Sequence, residues 1–424
     1  MDEHGMVIVG GGLAAGTAAK TLRAEGWEGS ITVIGAEHRE PYLRPPLSKE
    51  FLLGKAPEEE LAVNPPGWYA ENGVDLRLGE RVTQLVPASR VVTLESGALL
   101  PYRAVLLATG ASPRTLDIPG AHLEGIVTLR RFEDSLALRA QLSEGGQRVV
   151  IVGSGWIGME VAAAARTYGN EVTVVGRERT PLTQLEPELG DYFRRLHESE
   201  GVQFRLGAHP VEFKATEDRV GAQEAECVTC VVTNDGERLG ADLVVVAVGV
   251  VPEAGLAQRA GLLTGNGIVV DASLRTSAEG IYAAGDVANS LQPFTGDHVR
   301  SEHWSNALNG GKVAAKSMLG QDAKLEIAPY FYTDQYSLSL EYSGYWQRAR
   351  GAKLVLRGSI ETVESGLDGF VAFWLRDRAV VAAMNVNTPK SQKALKALIA
   401  SRAVVDEARL SDPAVPLAEL VPAG

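Results

Sequence analysis

The feature that most constrains this chain is a strand, a glycine turn and a helix in immediate succession, present twice. Met6-Val7-Ile8-Val9 reads as a short buried strand running into Gly10-Gly11-Gly12-Leu13-Ala14-Ala15-Gly16, with a helical stretch predicted from Thr17 to Glu25. That order makes a dinucleotide-binding unit. Gly10 lets the chain turn sharply, Gly12 lets a pyrophosphate approach the backbone, and Ala15 supplies a third small residue for close helix–strand packing. The helix N-terminus then offers unpaired N–H groups and a partial positive charge to the phosphates. Glycine turns end many strands, so one copy says little. The recurrence at Val149-Val150-Ile151-Val152-Gly153-Ser154-Gly155-Trp156-Ile157-Gly158 predicts two nucleotides bound side by side on an α/β chain with two Rossmann-like units.

Size and composition set the outer limits. A chain of 424 residues, 45% hydrophobic and 22% charged, has the make-up of a soluble globular protein of two or three domains. No transmembrane run is present, and a first strand at Met6 leaves no room for a signal peptide. Two cysteines cannot staple a chain this long, so a cytoplasmic setting is expected. A net charge of −12 argues against nonspecific nucleic-acid binding.

Along the first unit, Ile31–Ile34 is the second strand and Glu37 the candidate acid for ribose hydroxyls. In Pro41-Tyr42-Leu43-Arg44-Pro45-Pro46-Leu47-Ser48-Lys49 the prolines fix an extended loop, and Ser48 is placed to cap a helix from Lys49 onward. Strands are expected at Val74–Leu78, Val91–Leu94 and Ala104–Leu107, the last closed by Ala108-Thr109-Gly110, a small-residue turn suited to a backbone returning to a cofactor. A helix is expected over Asp134–Ser143. The second unit continues with Glu171–Val175, which ends in Gly176-Arg177-Glu178-Arg179 without an acid at the tip. Glycine followed by arginine leaves space and positive charge for a 2′-phosphate, which favours NADPH over NADH, unless Arg177 and Arg179 are ordinary surface arginines.

Residues 211–248 read as a meander of strands leading to Gly249. Cys227-Val228-Thr229-Cys230 lies inside it; on a regular strand these cysteines point to opposite faces, so they are expected to be structural rather than redox-active. An apolar strand over Gly280–Ala284 ends at Gly285-Asp286, where the aspartate can accept a hydrogen bond from a polyol, and a helix follows over Asn306–Leu319. Beyond Glu326, Phe370–Leu375 and Val380–Val386 alternate as strands around Arg376–Arg378, and Pro389–Arg402 reads as a basic helix. Between Arg348 and Arg402 stand ten Lys or Arg and four Asp or Glu, a contrast with the acidic whole that suggests a docking surface. The resulting division is a nucleotide domain at 1–114 and 250–325, a second at 115–249, and a smaller α+β domain at 326–424.

Several stretches together resemble the FAD-dependent, glutathione-reductase-like ferredoxin reductases that serve bacterial cytochrome P450 and Rieske oxygenase systems. They are Arg44-Pro45-Pro46-Leu47-Ser48-Lys49, the paired glycine turns, Ala283-Ala284-Gly285-Asp286, Glu302-His303-Trp304-Ser305-Asn306-Ala307 and Asp334-Gln335. The resemblance covers nearly the whole chain. It implies that Ala14, Glu37, Lys49, Val82, Arg130, Asp286 and Trp304 contact FAD, within a wider set of Gly10, Gly12, Leu13, Ala15, Arg44, Ala108, Thr109, Gly110 and Gly285. The pyridine nucleotide would take Gly153, Gly155, Ile157, Gly158, Glu160, Arg177, Arg179 and Gly249. Lys49 would sit near the reactive edge of the flavin, with Glu160 close to it and to the nicotinamide, as a mutually satisfied buried pair. Two departures stand out. Some members carry the ribose acid one place earlier, where this chain has Ala36, and many carry an acid at position 176 and use NADH.

Related disulfide reductases pass electrons to cysteines near position 42. Here that segment is Tyr42-Leu43-Arg44-Pro45-Pro46, so the electrons of an NAD(P)H-reduced FAD must leave for an outside acceptor, for which an acidic [2Fe–2S] ferredoxin suits the basic C-terminal region. No Ser/His/Asp triad or metal-ligand cluster competes. The rival readings are a flavin reductase of a small acceptor, such as a quinone or monodehydroascorbate, and a redox interaction protein resembling apoptosis-inducing factor.

Overall fold

The computed structural model describes residues 4–215, 226–361 and 369–421. The chain forms two compact units, one from Met1–Pro45, Pro57–Ser112 and Val250–Pro329, the other from Pro46–Ala56, Pro113–Gly249 and Tyr330–Gly424.

In the first unit, runs of Val, Ile and Leu make the central strands, which are buried on both faces as parallel sheets require. The sheet runs in the order Val74–Leu78, Ile31–Gly35, Gly5–Val9, Leu99–Leu107 and Ile281–Ala283, all parallel. Val91–Leu94 and Val82–Val86 add antiparallel at the start of Leu99–Leu107. The strand order reverses at Gly5–Val9, between Ile31–Gly35 and Leu99–Leu107. In open parallel sheets ligands bind at such a reversal, outside the strands' carboxyl ends, which is where the glycine turn follows here. The helix Leu13–Ala24 packs its Ala15, Ala18, Ala19 and Leu22 into the core and lies against the helix Trp304–Met318. Gly311 permits that approach, since a Cβ there would come within 2.5 Å of the Ala14 carbonyl oxygen.

The second unit repeats the plan. Gln203–Leu206, Glu171–Gly176, Arg148–Val152, Leu243–Val246 and Ile126–Val127 form a parallel sheet in that order, with the reversal at Arg148–Val152. The helices Phe132–Leu142, Trp156–Thr167 and Pro187–Ser199 accompany it. Pro210–Ala215, Val228–Thr233 and Arg238–Gly240 make a separate antiparallel sheet. Tyr330–Gln335, Leu338–Gly344, Ala379–Val386, Phe370–Arg376 and Lys353–Arg357 form a five-stranded antiparallel sheet covered by the helix Gln392–Ser401. One core joins Met159, Leu189, Tyr192 and Phe193 of the helices to Leu340, Phe370 and Trp374 of that sheet.

Local corrections to the sequence reading have physical causes. The first helix begins at Leu13, not Thr17, because the turn is complete by Gly12 and Leu-Ala-Ala are strong helix formers. Val82–Val86 is a strand that its polar Thr83 and Gln84 disguised. No helix starts at Lys49. Pro45–Ser48 is a 3-10 turn and further turns follow to Gly54, whose φ is +68°. The Ser48 hydroxyl donates to Glu160 instead of capping. Cys227 and Cys230 do not point to opposite faces. Thr229 bulges out of the pairing, since Ala215 faces Val228 while Lys214 faces Cys230, and a bulge shifts the alternation by one. Val228 and Val231 therefore both enter the core, their neighbours Cys227 and Cys230 both turn outward, and neither forms a disulfide. Residues 216–225 of the expected meander lie outside the described residues.

Candidate functional site

In the first unit the glycine turn is built as its spacing predicts. Gly10 has φ +134°, and a Cβ on it would stand 2.0 Å from the Ala108 carbonyl oxygen. The Ala108 N–H donates to Val9 at 2.7 Å, which locks Ala108-Thr109-Gly110 beside the turn. Around Gly12, by contrast, a Cβ would meet nothing within 4 Å. Gly12 caps Leu13–Ala24 with no side chain occupying the first N–H groups. An open space faced by orphan donors is what a pyrophosphate needs, so these residues fit FAD.

Other members of the predicted FAD set gather in the same unit. Gly285, at φ +79°, would bring a Cβ to 3.3 Å from that of Ala14, so Gly285-Asp286 backs onto the helix start. Thr109 donates to the Glu253 carbonyl at 2.8 Å, and Glu253 N–H to Gly110 at 2.9 Å. Glu37 accepts from Arg44 at 2.7 Å and from the Tyr42 hydroxyl at 2.5 Å. Burial alone would lower the Arg44 guanidinium, but its interactions with Tyr42, Glu37 and Asp286 outweigh burial and hold it above its ordinary range. Val82 packs against the core edge, and half-buried Trp304 opens its helix. Beside it, burial pushes the His303 imidazole down to about 4, with Asp286 opposing.

The second glycine turn has the same design. Gly153 has φ +114° and would clash with the Ala247 carbonyl, and Gly158 with that of Gly153, while Gly155 faces open space and caps Trp156–Thr167 with no side-chain bond. Ile157 stands exposed in that first turn. Gly249, at φ +95°, accepts from the Arg114 N–H. Gly176 lies over Ser154, and a Cβ there would sit 2.7 Å from its hydroxyl oxygen. Arg177 and Arg179 are exposed and make no ion pair or side-chain hydrogen bond among the described residues. Arg130 is half-buried and its N–H donates to Asp134 at 3.0 Å.

Lys49 and Glu160 meet in the second unit. Lys49 Nζ lies 3.0 Å from Glu160 Oε2, with the two side chains only 6% and 5% exposed. Neither charge is tolerable there alone, because breaking such a pair costs about 3–5 kcal/mol. The carboxylate is further satisfied: Ser48 Oγ donates to Oε2, and Thr333 Oγ1 to Oε1 at 2.7 Å. Lys49 Nζ also stands 5.4 Å from the Tyr332 ring centre. Burial, reinforced by Glu50, Asp334 and Glu160, pushes the Tyr332 phenol up to about 12. A dehydrated ion pair of this kind can orient a polar group beside it.

Sequence reasoning brought Lys49 and Glu160 to notice but missed what holds them. The sequence offers Ser48 only as a cap and Gln335 only as part of a family resemblance, and it gives Thr333 and His197 no signal. His197 is fully buried, with Nε2 at 2.8 Å from Gln335 Oε1. Partners 111 to 173 positions apart leave no local pattern.

Comparison with known proteins agrees with this geometry. Residues 4–311 match the pyridine nucleotide-disulphide oxidoreductase family model, and residues 330–421 match the reductase C-terminal model. The chain is 39% identical, over 98% of its length and 99% of the relative's, to the ferredoxin–NAD(+) reductase component of the anthranilate 1,2-dioxygenase system of Burkholderia cepacia. It is 35% identical to putidaredoxin reductase of Pseudomonas putida, over 99% of this chain and 97% of that one. The crystal structure of the covalent putidaredoxin reductase–putidaredoxin complex superposes with a TM-score of 0.92 at 34% identity, covering 99% of this chain and 98% of that chain. The two glycine turns and the two parallel sheets are thus those of a pyridine nucleotide-disulphide oxidoreductase, the C-terminal sheet falls in the reductase C-terminal match, and the chain belongs to that family's ferredoxin reductases.

Proposed function

We propose that this protein is an NAD(P)H-dependent, FAD-containing ferredoxin reductase that passes single electrons to a [2Fe–2S] ferredoxin feeding a cytochrome P450 or Rieske oxygenase. The observation that carries this reading is the buried Lys49–Glu160 pair in a chain whose Tyr42–Lys49 segment holds no cysteine. When bound, FAD supplies the conversion between a two-electron donor and a one-electron acceptor. The chain supplies position and charge. Gly10, Gly12, Leu13, Ala14 and Ala15 receive the FAD diphosphate, Glu37 a ribose, and Asp286 a polyol hydroxyl, with Arg44, Val82, Ala108, Thr109, Gly110, Arg130, Gly285 and Trp304 lining the remainder. Gly153, Gly155, Ile157, Gly158 and Gly249 receive the pyridine nucleotide. Lys49 and Glu160 fix the reacting edge, as the two catalytic residues, and exclude water from it. In this division 1–114 and 250–325 bind FAD, 115–249 binds NAD(P)H, and 326–424 forms the C-terminal domain. With no thiol beside the flavin, the second half-reaction needs an external carrier.

Two finer points belong to the same reading. Gly176 and the unpaired Arg177 and Arg179 favour NADPH, although relatives named for NAD(+) make NADH the competing coenzyme. The exposed Lys390, Lys393 and Lys396 offer a basic face to an acidic ferredoxin.

The test is stopped-flow reduction of the FAD-loaded protein by NADPH and NADH. Lys49→Ala and Glu160→Ala are expected to slow flavin reduction more than they loosen FAD. Wild-type reduction rates in both variants would remove the assigned roles.

A further inference from the structure

Beyond the ion pair, one buried polar chain in the second unit runs away from Glu160 and ends near the surface. Thr333 Oγ1 lies 2.7 Å from Glu160 Oε1, Gln335 Nε2 lies 3.1 Å from Thr333 Oγ1, His197 Nε2 lies 2.8 Å from Gln335 Oε1, and Tyr336 Oη lies 3.2 Å from His197 Nδ1. Thr333, Gln335 and His197 are 0%, 1% and 0% exposed. Thr333 and Gln335 alternate along the strand Tyr330–Gln335, so one face of that strand connects the helix carrying Glu160 with the helix carrying His197.

We propose that Thr333, Gln335 and His197 are positioning residues for the Glu160 carboxylate, joined in a one-way hydrogen-bond chain through which the charge on Glu160 fixes the tautomer of His197. The direction follows link by link. An ionised carboxylate only accepts, so the single Thr333 hydroxyl proton points to Glu160. Thr333 must then accept from Gln335, which turns the amide nitrogen toward Thr333 and its oxygen toward His197. His197 Nε2 must therefore carry the proton. Burial holds the imidazole neutral, down to about 4, so Nδ1 is an acceptor and takes the Tyr336 hydroxyl proton.

Every donor in the chain thus points toward Glu160. The groups facing its two ends are Lys49, the Ser48 hydroxyl and the Tyr332 phenol at Glu160, and Glu200 and Arg166, which act on the Tyr336 phenol. Burial and Glu200 both keep the Tyr336 proton in place. Tyr336 occupies a hairpin turn with φ +56°, a conformation disfavoured for a tyrosine. Docking its hydroxyl on His197 gives that strain a compensating contact.

The chain holds Glu160 Oε1, which leaves Oε2 turned to Lys49. An amide cannot relay protons readily, so what travels along the chain is bond polarity and not a proton. In Glu160→Gln the Lys49 ammonium still demands the side-chain oxygen. The amide nitrogen then faces Thr333, which reverses each link: Thr333 donates to Gln335, the Gln335 amide flips, and His197 Nε2 becomes an acceptor. The neutral ring must shift its proton to Nδ1 and donate to Tyr336.

The FAD-loaded protein, labelled with [15N]histidine, tests this by two-bond 1H–15N NMR at pH 7.5, with the His197 signal assigned by its loss in His197→Gln. Wild type is expected to show the Nε2–H tautomer, and Glu160→Gln the Nδ1–H tautomer. In Thr333→Val the chain is cut, so adding Glu160→Gln should leave the His197 tautomer unchanged, while Thr333→Ser should restore the wild-type pattern. An Nδ1–H tautomer in wild type, or an Nε2–H tautomer retained in Glu160→Gln, overturns the proposal. Should Glu160→Gln fail to fold, reduction by NADPH decides. Thr333→Val is expected to be slower by about tenfold or more, the loss of one hydrogen bond to a charge, with rescue by Thr333→Ser. Equal rates in Thr333→Val and wild type overturn it. The tautomer readout needs no turnover and no ferredoxin, so it fails or holds separately from the proposed activity.

Discussion

At the scale of single residues, what distinguishes this site is how many buried polar groups converge on one carboxylate. Glu160 takes the Lys49 charge and the Ser48 and Thr333 hydroxyls while almost fully enclosed. Satisfied in this way it is rigid; short of one partner it is costly. The neutral His197 behind it has a consequence for stability. Its folded value near 4 lies below the unfolded value near 6.5, so the unfolded chain binds a proton that the folded one refuses. Above pH 6.5 neither form is charged and stability is unaffected. As pH falls from 6.5 to 4 stability is lost, by on the order of 3 kcal/mol once both values are passed. Denaturant titrations from pH 7.5 to 4 should therefore show a steeper loss for wild type than for His197→Gln; parallel curves would contradict a neutral buried ring. Residues of this kind are the least legible from sequence. Lys49 stands in a proline-rich loop like many solvated lysines, and only its resemblance to a family motif singled it out. His197 is one histidine in an amphipathic helix, and its partners come from a strand more than a hundred positions away.

At the scale of elements, the two glycine turns were almost fully legible, because a strand–turn–helix needs particular residues at particular places. Gly10 and Gly153 are forced by positive φ and by carbonyls where a Cβ would stand, Gly12 and Gly155 by the space they leave. The two reasons separate experimentally. Gly10→Ala should cost more than about 2 kcal/mol of stability, since the added carbon meets the Ala108 backbone. Gly12→Ala should stay within about 0.5 kcal/mol of wild type and instead weaken FAD binding by roughly tenfold or more. Thermal unfolding and flavin-release fluorescence distinguish them; equal destabilisation would mean Gly12 is also sterically required. Elements whose pattern is interrupted read poorly. Thr83 and Gln84 hid the strand Val82–Val86, and the bulge at Thr229 put two cysteines on one face where a regular strand would part them. A bulge leaves no mark in hydrophobic alternation until its partner strand is known.

At the scale of the whole molecule, the proposed route of the electrons rests on a Tyr42–Lys49 segment without cysteine. Among the described residues no helix is long and apolar enough to cross a membrane. The exposed lysines at 390, 393 and 396 lie in a chain of net charge −12, and one of them, Lys396, stands 4.0 Å from the Tyr330 ring centre. Charge reversal at all three should raise the apparent KM for an acidic ferredoxin several-fold at low ionic strength and leave reduction of a small dye unchanged. An unchanged ferredoxin KM would remove docking at this face. The overall plan of two nucleotide units and a C-terminal sheet is legible in the sequence because large-scale repetition survives local irregularities. The grouping of Pro46–Ala56 with the second unit is not, since it depends on tertiary contacts such as Ser135 Oγ donating to the Leu47 carbonyl at 2.6 Å.

The most direct measurement of the central claim mixes the purified FAD-loaded protein with NADPH or NADH and one [2Fe–2S] ferredoxin, following flavin and iron–sulfur absorbance together. The account predicts that the flavin is reduced by pyridine nucleotide and that the ferredoxin is then reduced in catalytic turnover. A flavin that bleaches while the ferredoxin stays oxidised, with a quinone consumed in its place, would contradict it.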